Sequence, residues 1–396
     1  MIVYQYKLKC SKVQKTLLDE AIRTCQFLRN LALRYWIDHK GEKFNKYTLT
    51  KLTTEESLKA NHKFALKLNS KAREQAVLRA TNAILRFFKK QGKFPKFKKD
   101  VRSFTLTQSG WKLNNEFNHL TLTDKLGIGK MKLVGKRNLH FYTKEQIKQI
   151  TVIKRADGYY VLFCIDIERK EDVGYTGKEI AVDLGLEYMY TDSEGVHKEN
   201  PRFFKKSEVT LKRLQKDVSR KKKGSSNRRK AKIKLQRKHL KVQRQREDFV
   251  VKTARQLYLS NDTVFLEDLS VTKMIQKNKF KSIRKSISTI CWGKFKDWLK
   301  RYSEIFNKKL ILVNPRNTSQ LCSCCGLMVA KNLNVRVHSC SSCGFEAHRD
   351  HNAALNILKI GQGMPESATL KGCEKPKESP TSDLKLISSS QVCSVI

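Results

Sequence analysis

Seven residues carry the chemistry that this sequence offers. Two Cys-x2-Cys-Gly knuckles, Cys322–Cys325–Gly326 and Cys340–Cys343–Gly344, stand fourteen residues apart. Each knuckle can present two thiolates to one ion. Four thiolates close a tetrahedral Zn²⁺ site, which is structural because no position is left for water. Cys324 falls outside the pattern. His338 or His348 could stand in for a thiolate, and an iron–sulfur cluster could use the same sulfurs, but the short ribbon spacing fits zinc better. The other three residues are acids. Asp183 ends the apolar run EIAV, Glu267 ends TVFL, and Asp350 opens the helical pattern NAALNILK. Carboxylates that hold two Mg²⁺ ions hydrolyse phosphodiesters: one ion activates water and the other stabilises the leaving oxygen. Acids at the ends of neighbouring strands, and on a helix packed against them, converge in this way in RNase H-like nucleases. Each acid also has a purely structural reading. Asp183 could start a turn before Gly185. Glu267 could be an edge carboxylate, with Asp268 competing for its role. Asp350 could be a helix N-cap, stabilising by about 1 kcal/mol.

Charge favours the chemical reading. The chain has 396 residues, with 82 Lys+Arg against 37 Asp+Glu, a net charge of +45. Such a field needs a polyanion to neutralise it, and nucleic acid is the expected partner. At 39% hydrophobic the chain can fold, and its length suggests two or three domains. No apolar run reaches the roughly 18–20 residues that span a bilayer, and MIVYQYKLK reads as a strand rather than a signal peptide. The 11 cysteines are an odd number. Cys10, Cys25, Cys164 and Cys291 sit singly in apolar segments and are expected to be buried free thiols, which is reduced, intracellular usage.

The elements that must position the seven residues are legible in outline. Residues 11–38 and 70–90 read as amphipathic helices, through Leu18, Ile22, Cys25 and Leu28, and through Val77, Ala80, Ile84 and Phe87. Gly and Pro in QGKFPKFKK end the second helix. Phe94, Lys96, Phe97 and Lys98 interleave rings with cations, which suits nucleic-acid contact; two phenylalanines anchoring a loop is the equal alternative. Short β-type runs follow, with a hairpin turn at Asp157-Gly158, so 91–175 with the first strand reads as a small β-barrel. A new module begins near Gly177. Within it, 204–259 reads as two antiparallel basic helices with a flexible tip at Gly224-Ser225-Ser226. The tip carries Lys221, Lys222, Lys223, Arg228 and Arg229, a run too densely cationic for a merely solvated face. Strands follow at 261–270 and 308–315, with a helix near 290–306 between them. Residues 361–396, with Cys373 and Cys393, read as a disordered tail.

AVDLG, FLEDL, the paired CxxCG knuckles and HRDHNAALNI, in this order, resemble the TnpB proteins of insertion sequences, compact relatives of type V CRISPR effectors. The resemblance runs from the first strand through Ile360, and the FPKFKK loop and PRNTSQLC share it. It implies an α+β multidomain chain. A wedge β-barrel would use 1–10 and 91–175, with a helical recognition domain, 11–90, inserted. A RuvC-like, RNase H-like nuclease domain would use 176–315 and 347–360, interrupted by a zinc ribbon at 316–346. The implied activity is RNA-guided cleavage of DNA beside a short motif. Asp183, Glu267 and Asp350 fall on the family's Mg²⁺ positions, and Cys322, Cys325, Cys340 and Cys343 on its zinc positions. Arg316 is a candidate phosphate contact. The implied partners are a guide RNA from the transposon end and target double-stranded DNA with its unwound strands, bound by a monomer in a ribonucleoprotein. The implied setting is prokaryotic cytoplasm, at the nucleoid, with no membrane. Relatives often carry an aromatic residue and Asp where this chain has Ala347-His348, a position that is not a metal ligand. Three readings compete: a transposase acting on element ends, a nuclease-inactive RNA-guided DNA-binding protein, and a minimal type V CRISPR effector.

Overall fold

The alternation in MIVYQYKLK becomes strand β1, Ile2–Lys9, with Tyr6 and Leu8 turned inward. The computed structural model describes residues 1–39, 45–332 and 334–364. The chain divides into two units, 1–169 and from 170 onward.

In the first unit β1 leads into helices α1 (Lys12–Asp38), α2 (Lys46–Leu58) and α3 (Ser70–Phe88), with a 3₁₀ segment at Ala60–Lys67. A capping box starts α1: Ser11 Oγ accepts from Gln14 N–H at 3.1 Å, and Gln14 Oε1 accepts from Ser11 N–H at 3.0 Å. Six strands follow: β2 (Ser103–Leu106), β3 (Trp111–Leu113), β4 (His119–Leu122), β5 (Gly129–Val134), β6 (Ile147–Arg155) and β7 (Gly158–Ile165). With β1 they form one antiparallel sheet in the order β2-β6-β7-β1-β5-β4-β3. The edge strands β2 and β3 are joined by only four residues, 107–110. Five Cα steps reach about 19 Å at most, whereas a flat seven-stranded sheet would part its edges by about 29 Å. The sheet must therefore roll up. Trp111 of β3 and Phe163 of β7 meet inside it, centroids 6.2 Å apart. The β6–β7 turn is Ala156–Asp157, one residue earlier than expected. Gly158 pairs with Arg155 and already belongs to β7.

The second unit runs β8 (Glu179–Asp183), β9 (Tyr188–Asp192), β10 (His197–Glu199), α4 (Phe203–Arg220), α5 (Ser226–Ser260) and β11 (Thr263–Glu267). It continues with α6 (Val271–Lys277), α7 (Lys281–Ile290), α8 (Trp292–Phe306), β12 (Lys309–Val313), β13 (Val337–Ser339), β14 (Glu346–His348) and α9 (Arg349–Gly361). The main sheet has the order β10-β9-β8-β11-β12. Strands β8, β11 and β12 are parallel, and β9 and β10 are an antiparallel edge hairpin. Parallel strands buried on both faces need apolar runs, and IAV and VFL supply them; β12 is an edge strand whose Leu312 is exposed. Val250, Ala254, Phe295 and Leu299 of α5 and α8 cover one face. Ile357 of α9 packs with Ala181, Phe265 and Val313 on the other. A Cβ on Gly361 would collide with the Phe265 ring, so α9 closes on β11 only through glycine. β13 and β14 pair antiparallel as a small ribbon.

Three expectations need correcting or bounding. Among the lone cysteines only Cys25 is buried; Cys10, Cys164 and Cys291 are half-buried. The 361–396 segment begins inside α9, because the helix includes Gly361; residues 365–396 lie outside the described residues. The tip of the α4–α5 hairpin is tied: Arg228 Nη1 donates to the Val218 and Lys221 carbonyls at 2.9 and 2.8 Å.

Candidate metal and nuclease site

The parallel register sets the first two acids side by side. Val182 stands opposite Leu266, so Asp183 and Glu267 follow at the C-terminal ends of neighbouring strands. Of the two acids ending β11, Glu267 turns inward and is 6% exposed. Asp268 turns outward and pairs with Lys296. The pleat separates them, since successive side chains leave opposite faces.

Asp350 reaches the same place from α9. The helix N-cap is His348, whose Nδ1 accepts from the Asp350 N–H at 3.3 Å. Asp350 is thus inside the first turn and not its cap. It is 6% exposed, and Arg349 Nε and Nη2 donate to its Oδ1 at 3.1 Å each. A Cβ on Gly185, in the loop after β8, would lie 3.8 Å from Asp350 Oδ2. Burial, then the charges of Glu267 and Asp350, push the Asp183 carboxyl well above the usual range, against Arg349 and the Leu184 N–H. Burial also raises Glu267, and a hydrogen bond from Thr318 opposes it. Asp183 therefore senses both other carboxylates, and Arg349 is the cation among the causes that act on it.

Thr318 is a functional candidate that sequence reasoning missed. It is buried, and its Oγ1 donates to Glu267 Oε1 at 2.5 Å. Asn317, at φ +63°, turns the chain so that Thr318 faces inward; asparagine tolerates this left-handed conformation. Arg316 beside it is exposed, and its backbone N–H donates to Asn314 Oδ1 at 3.1 Å.

The four cysteines come together as the spacing requires. Their sulfurs all lie within 4.8 Å of one another. Cys322 and Cys343 are 3.7 Å apart, and Cys325 and Cys340 are 3.6 Å apart. A tetrahedral ion with Zn–S near 2.3 Å holds its sulfurs about 3.8 Å apart, so the quartet fits structural zinc. Gly326 and Gly344, at φ +78° and +71°, let each knuckle fold back, with N–H bonds to the Cys322 and Cys340 carbonyls. Cys324, His338 and His348 are not part of the quartet.

Two asparagines on α9 connect cluster and acid. Asn352 Oδ1 accepts from Ser323 N–H at 2.9 Å, and its Nδ2 donates to the Leu321 carbonyl at 2.8 Å. One turn on, Asn356 Nδ2 donates to the Thr318 and Leu321 carbonyls at 2.8 and 2.7 Å. The helix that carries Asp350 thus grips the segment that carries both Thr318 and the first knuckle. These asparagines lie in the NAALN string, but nothing in their type says that they point inward.

The expected nucleic-acid residues divide. Lys221, Lys222, Lys223 and Arg229 are exposed, while Arg228 is committed to the hairpin tip. Phe94 packs on Trp36 and Phe87, with centroids 5.5 and 5.4 Å apart, and the Arg34 guanidinium lies 5.1 Å from the Phe97 ring centroid. Asn30 straps the loop through both backbone groups of Lys98 at 2.9 Å, and Arg29 Nη1 donates to the Lys96 carbonyl at 3.3 Å. The anchoring role is therefore present. Phe94 and Phe97 nevertheless stay 46% and 42% exposed, with the Lys96 and Lys98 side chains open.

Residues 162–278 match the family OrfB_IS605, described as "Probable transposase". Residues 292–357 match the Cas12f1-like TNB domain. A "Putative RNA-guided DNA endonuclease" of Streptomyces pristinaespiralis is 29% identical over 325 residues, 80% of this chain and 77% of that protein. The like-named InsQ protein of Escherichia coli K12 is 27% identical over 325 residues, 78% and 79% of the two chains. A Cas12f1 solved by cryo-EM with single guide RNA and target DNA shares the fold, with a TM-score of 0.53 over 87% of this chain and 81% of that one, at 14% identity.

Proposed function

We propose that this chain, a member of the TnpB family, is an RNA-guided DNA endonuclease of an insertion sequence. The observation that carries the reading is the convergence of Asp183, Glu267 and Asp350, with Asp183 driven upward by burial and by the other two. Uncompensated buried carboxylates are costly, and hard oxygen donors suit Mg²⁺. The three acids would hold Mg²⁺, two ions in the full site, which when bound supplies activation of water and stabilisation of the leaving oxygen. The chain's own groups prepare for this. Thr318 fixes one Glu267 oxygen, Arg349 fixes one Asp350 oxygen, and the asparagine clamp holds both loops to α9.

The sheet order, with a parallel core and an antiparallel edge hairpin, supports an RNase H-like, RuvC-type reading of 176–315 and 347–360. The rolled sheet supports a wedge domain made of 1–10 and 91–175, and the helices of 11–90 a recognition domain. The cysteine quartet supports a zinc ribbon at 316–346. Guide RNA and target DNA would neutralise the +45 charge, in a ribonucleoprotein with one copy of the chain. Lys221, Lys222, Lys223, Arg229, Arg316 and the Phe94–Lys98 loop are the proposed contacts. Among the described residues no helix is long and apolar enough to cross a membrane; the proposed setting is prokaryotic cytoplasm.

The test is to purify the chain from cells that carry its native flanking DNA and to sequence the nucleic acid that comes with it. One defined RNA, ending in sequence from beyond the element, that directs Mg²⁺-dependent cutting supports the proposal. RNA-independent cutting followed by joining of ends would favour a transposase, the reading that the first matched family's description suggests.

A further inference from the structure

A cavity of about 390 Å³ lies between the start of α4, the middle of α5 and α7, with Leu186 of the loop after β8 on its wall. That volume is in the range of small-molecule sites. Its walls mix polar side chains with apolar and aromatic ones, Met189, Phe203 and Phe249 among them. Its charged groups are Arg202, Lys205, Arg246 and Lys285 against one acid, Glu208. Glu208 is already paired, with Lys285 at 2.7 Å and Lys212 at 2.9 Å. Aromatic side chains beside cationic ones match a nucleotide, whose base is a flat ring and whose phosphate is an anion.

Two further observations point to a ligand. Arg246 Nη2 donates to the Ser288 carbonyl at 2.8 Å, but its Nε is buried without a hydrogen-bond partner. A buried unpaired donor is costly and asks for an acceptor, which the carbonyls and ring nitrogens of a base supply. The first turn of α4 also lacks a side-chain cap, so its dipole adds to the attraction for an anion.

Position names the strand. Gly185 faces Asp350 Oδ2, and the next residue, Leu186, is on the cavity wall. Asn200 Nδ2 donates to the Leu186 carbonyl at 3.2 Å and holds this loop. The residue that faces Asp350 and the residue on the cavity wall are thus consecutive in the chain, so a strand held at the carboxylates passes the cavity. We infer that the cavity takes one unstacked base of the DNA strand being cut and so sets that strand's register on Asp183 and Asp350. This rests on the endonuclease reading for the identity of the strand. Removing a base from its stack is costly in a duplex and much less so in an unwound strand, so the cavity selects unwound DNA.

The test uses the full chain with its guide RNA, and target DNA carrying a single 2-aminopurine at successive positions around the cut. Asp350→Ala keeps the DNA intact during the measurement. Stacking on phenylalanine should quench the probe at one position and leave the others bright. Ser286 is exposed at the cavity mouth, and Ser286→Trp should abolish the quenching. In the cutting-competent chain, an abasic residue at the same position should slow cleavage about tenfold or spread the cut sites. Equal fluorescence at every position, with Ser286→Trp cutting as the unmodified chain does, overturns the cavity assignment and leaves the endonuclease reading standing. A response only from probes placed in the guide RNA overturns the assignment to DNA. If the chain loads no guide, single-stranded DNA with the probe at every position replaces the target. Quenching that Ser286→Trp removes then supports the cavity while the guided reading falls; quenching that Ser286→Trp leaves unchanged overturns both.

Discussion

At the C-terminal ends of β8 and β11, the charges of Glu267 and Asp350 act on Asp183, with Arg349 opposing them. At the N-terminal ends of the same strands the sheet treats a carboxylate in the opposite way. Asp262, just before β11, pairs with Lys308, just before β12, at 2.9 Å, and both side chains are nearly out of solvent. Lys308 Nζ also donates to the Tyr258 and Asn261 carbonyls at 2.7 and 3.2 Å. Asp262 Oδ2 accepts from the Thr176 and Gly177 N–H groups at 2.8 and 2.5 Å. Burial works against the Asp262 charge, but Lys308 and these N–H groups outweigh it and hold its carboxyl below the usual range. One end of the sheet pairs its carboxylate with a lysine; the other brings Glu267 and Asp350 to bear on Asp183, with Arg349 as the opposing cation. Buried carboxylates that repel one another are expensive, so under the proposed function the first end serves metal binding and the second serves stability.

Two substitutions test that division. Asp350→Ala should cut cleavage by at least about a thousandfold, since metal placement supplies several kcal/mol of transition-state stabilisation. Zinc content and nucleic-acid binding should persist, as measured by metal analysis and gel shift. Loss of folding instead would make Asp350 a structural residue and erase the contrast. Lys308→Met should do the reverse. Breaking a buried pair costs about 3–5 kcal/mol, so chemical denaturation should show a large loss of stability. At temperatures where the variant is folded, its Mg²⁺ dependence should match that of the unmodified chain.

A substitution between the two ends sharpens the comparison. Asn352→Ala leaves the buried Ser323 N–H and Leu321 carbonyl without this partner, at a cost of about 1–3 kcal/mol. Because the clamp joins the zinc ribbon to α9, both zinc retention under chelator challenge and cleavage rate should fall. A fall in one alone would show that ribbon and carboxylates are independent.

The end that carries Asp183 and Glu267 was easier to read from sequence than the elements around it. Apolar runs ending in Asp183 and Glu267 announce parallel strands because both faces are buried, and the paired Cys-x2-Cys spacing announces a four-thiolate cluster. Helix α2, KYTLTKLTTEESL, gave no such signal. Its buried stripe is Leu49, Thr53 and Ser57, with only one apolar residue. Its hydroxyls are hidden by bonding back one turn, Thr53 to the Leu49 carbonyl at 2.9 Å and Ser57 to the Thr53 carbonyl at 2.6 Å. A polar residue that satisfies itself locally is invisible to a hydrophobic period. Helices α6 and α7 went unread beside their lysines, and β10 is only three residues long. Thr318, Asn352 and Asn356 escaped for a different reason. Their partners are backbone groups and a carboxylate brought in by the fold, and no spacing encodes that.

The smallest expected effect separates the two ends by pH. Asp183 has a raised carboxyl in the folded chain. In the metal-free state its contribution to stability is therefore fully present below the ordinary carboxylate pKa, near 4, and is lost as pH rises through the raised folded value. Asp262 has a lowered carboxyl, so its contribution is present above the ordinary value and is lost as pH falls through the folded one. Asp183→Asn removes only the first dependence. The metal-free variant should melt higher than the unmodified metal-free chain at pH 8 and nearly level with it at pH 4–5. Each kcal/mol relieved is worth about 2–4 °C in a domain of this size. Mg²⁺ should raise the melting temperature of the unmodified chain at pH 8, by binding the folded state, and should do less for the variant. Asp262→Asn should lower stability at pH 8 whether or not Mg²⁺ is present. If Asp183→Asn also destabilises at pH 8 without metal, then Arg349 and the Leu184 N–H already compensate Asp183, and the two ends of the sheet differ in solvent exposure rather than in charge.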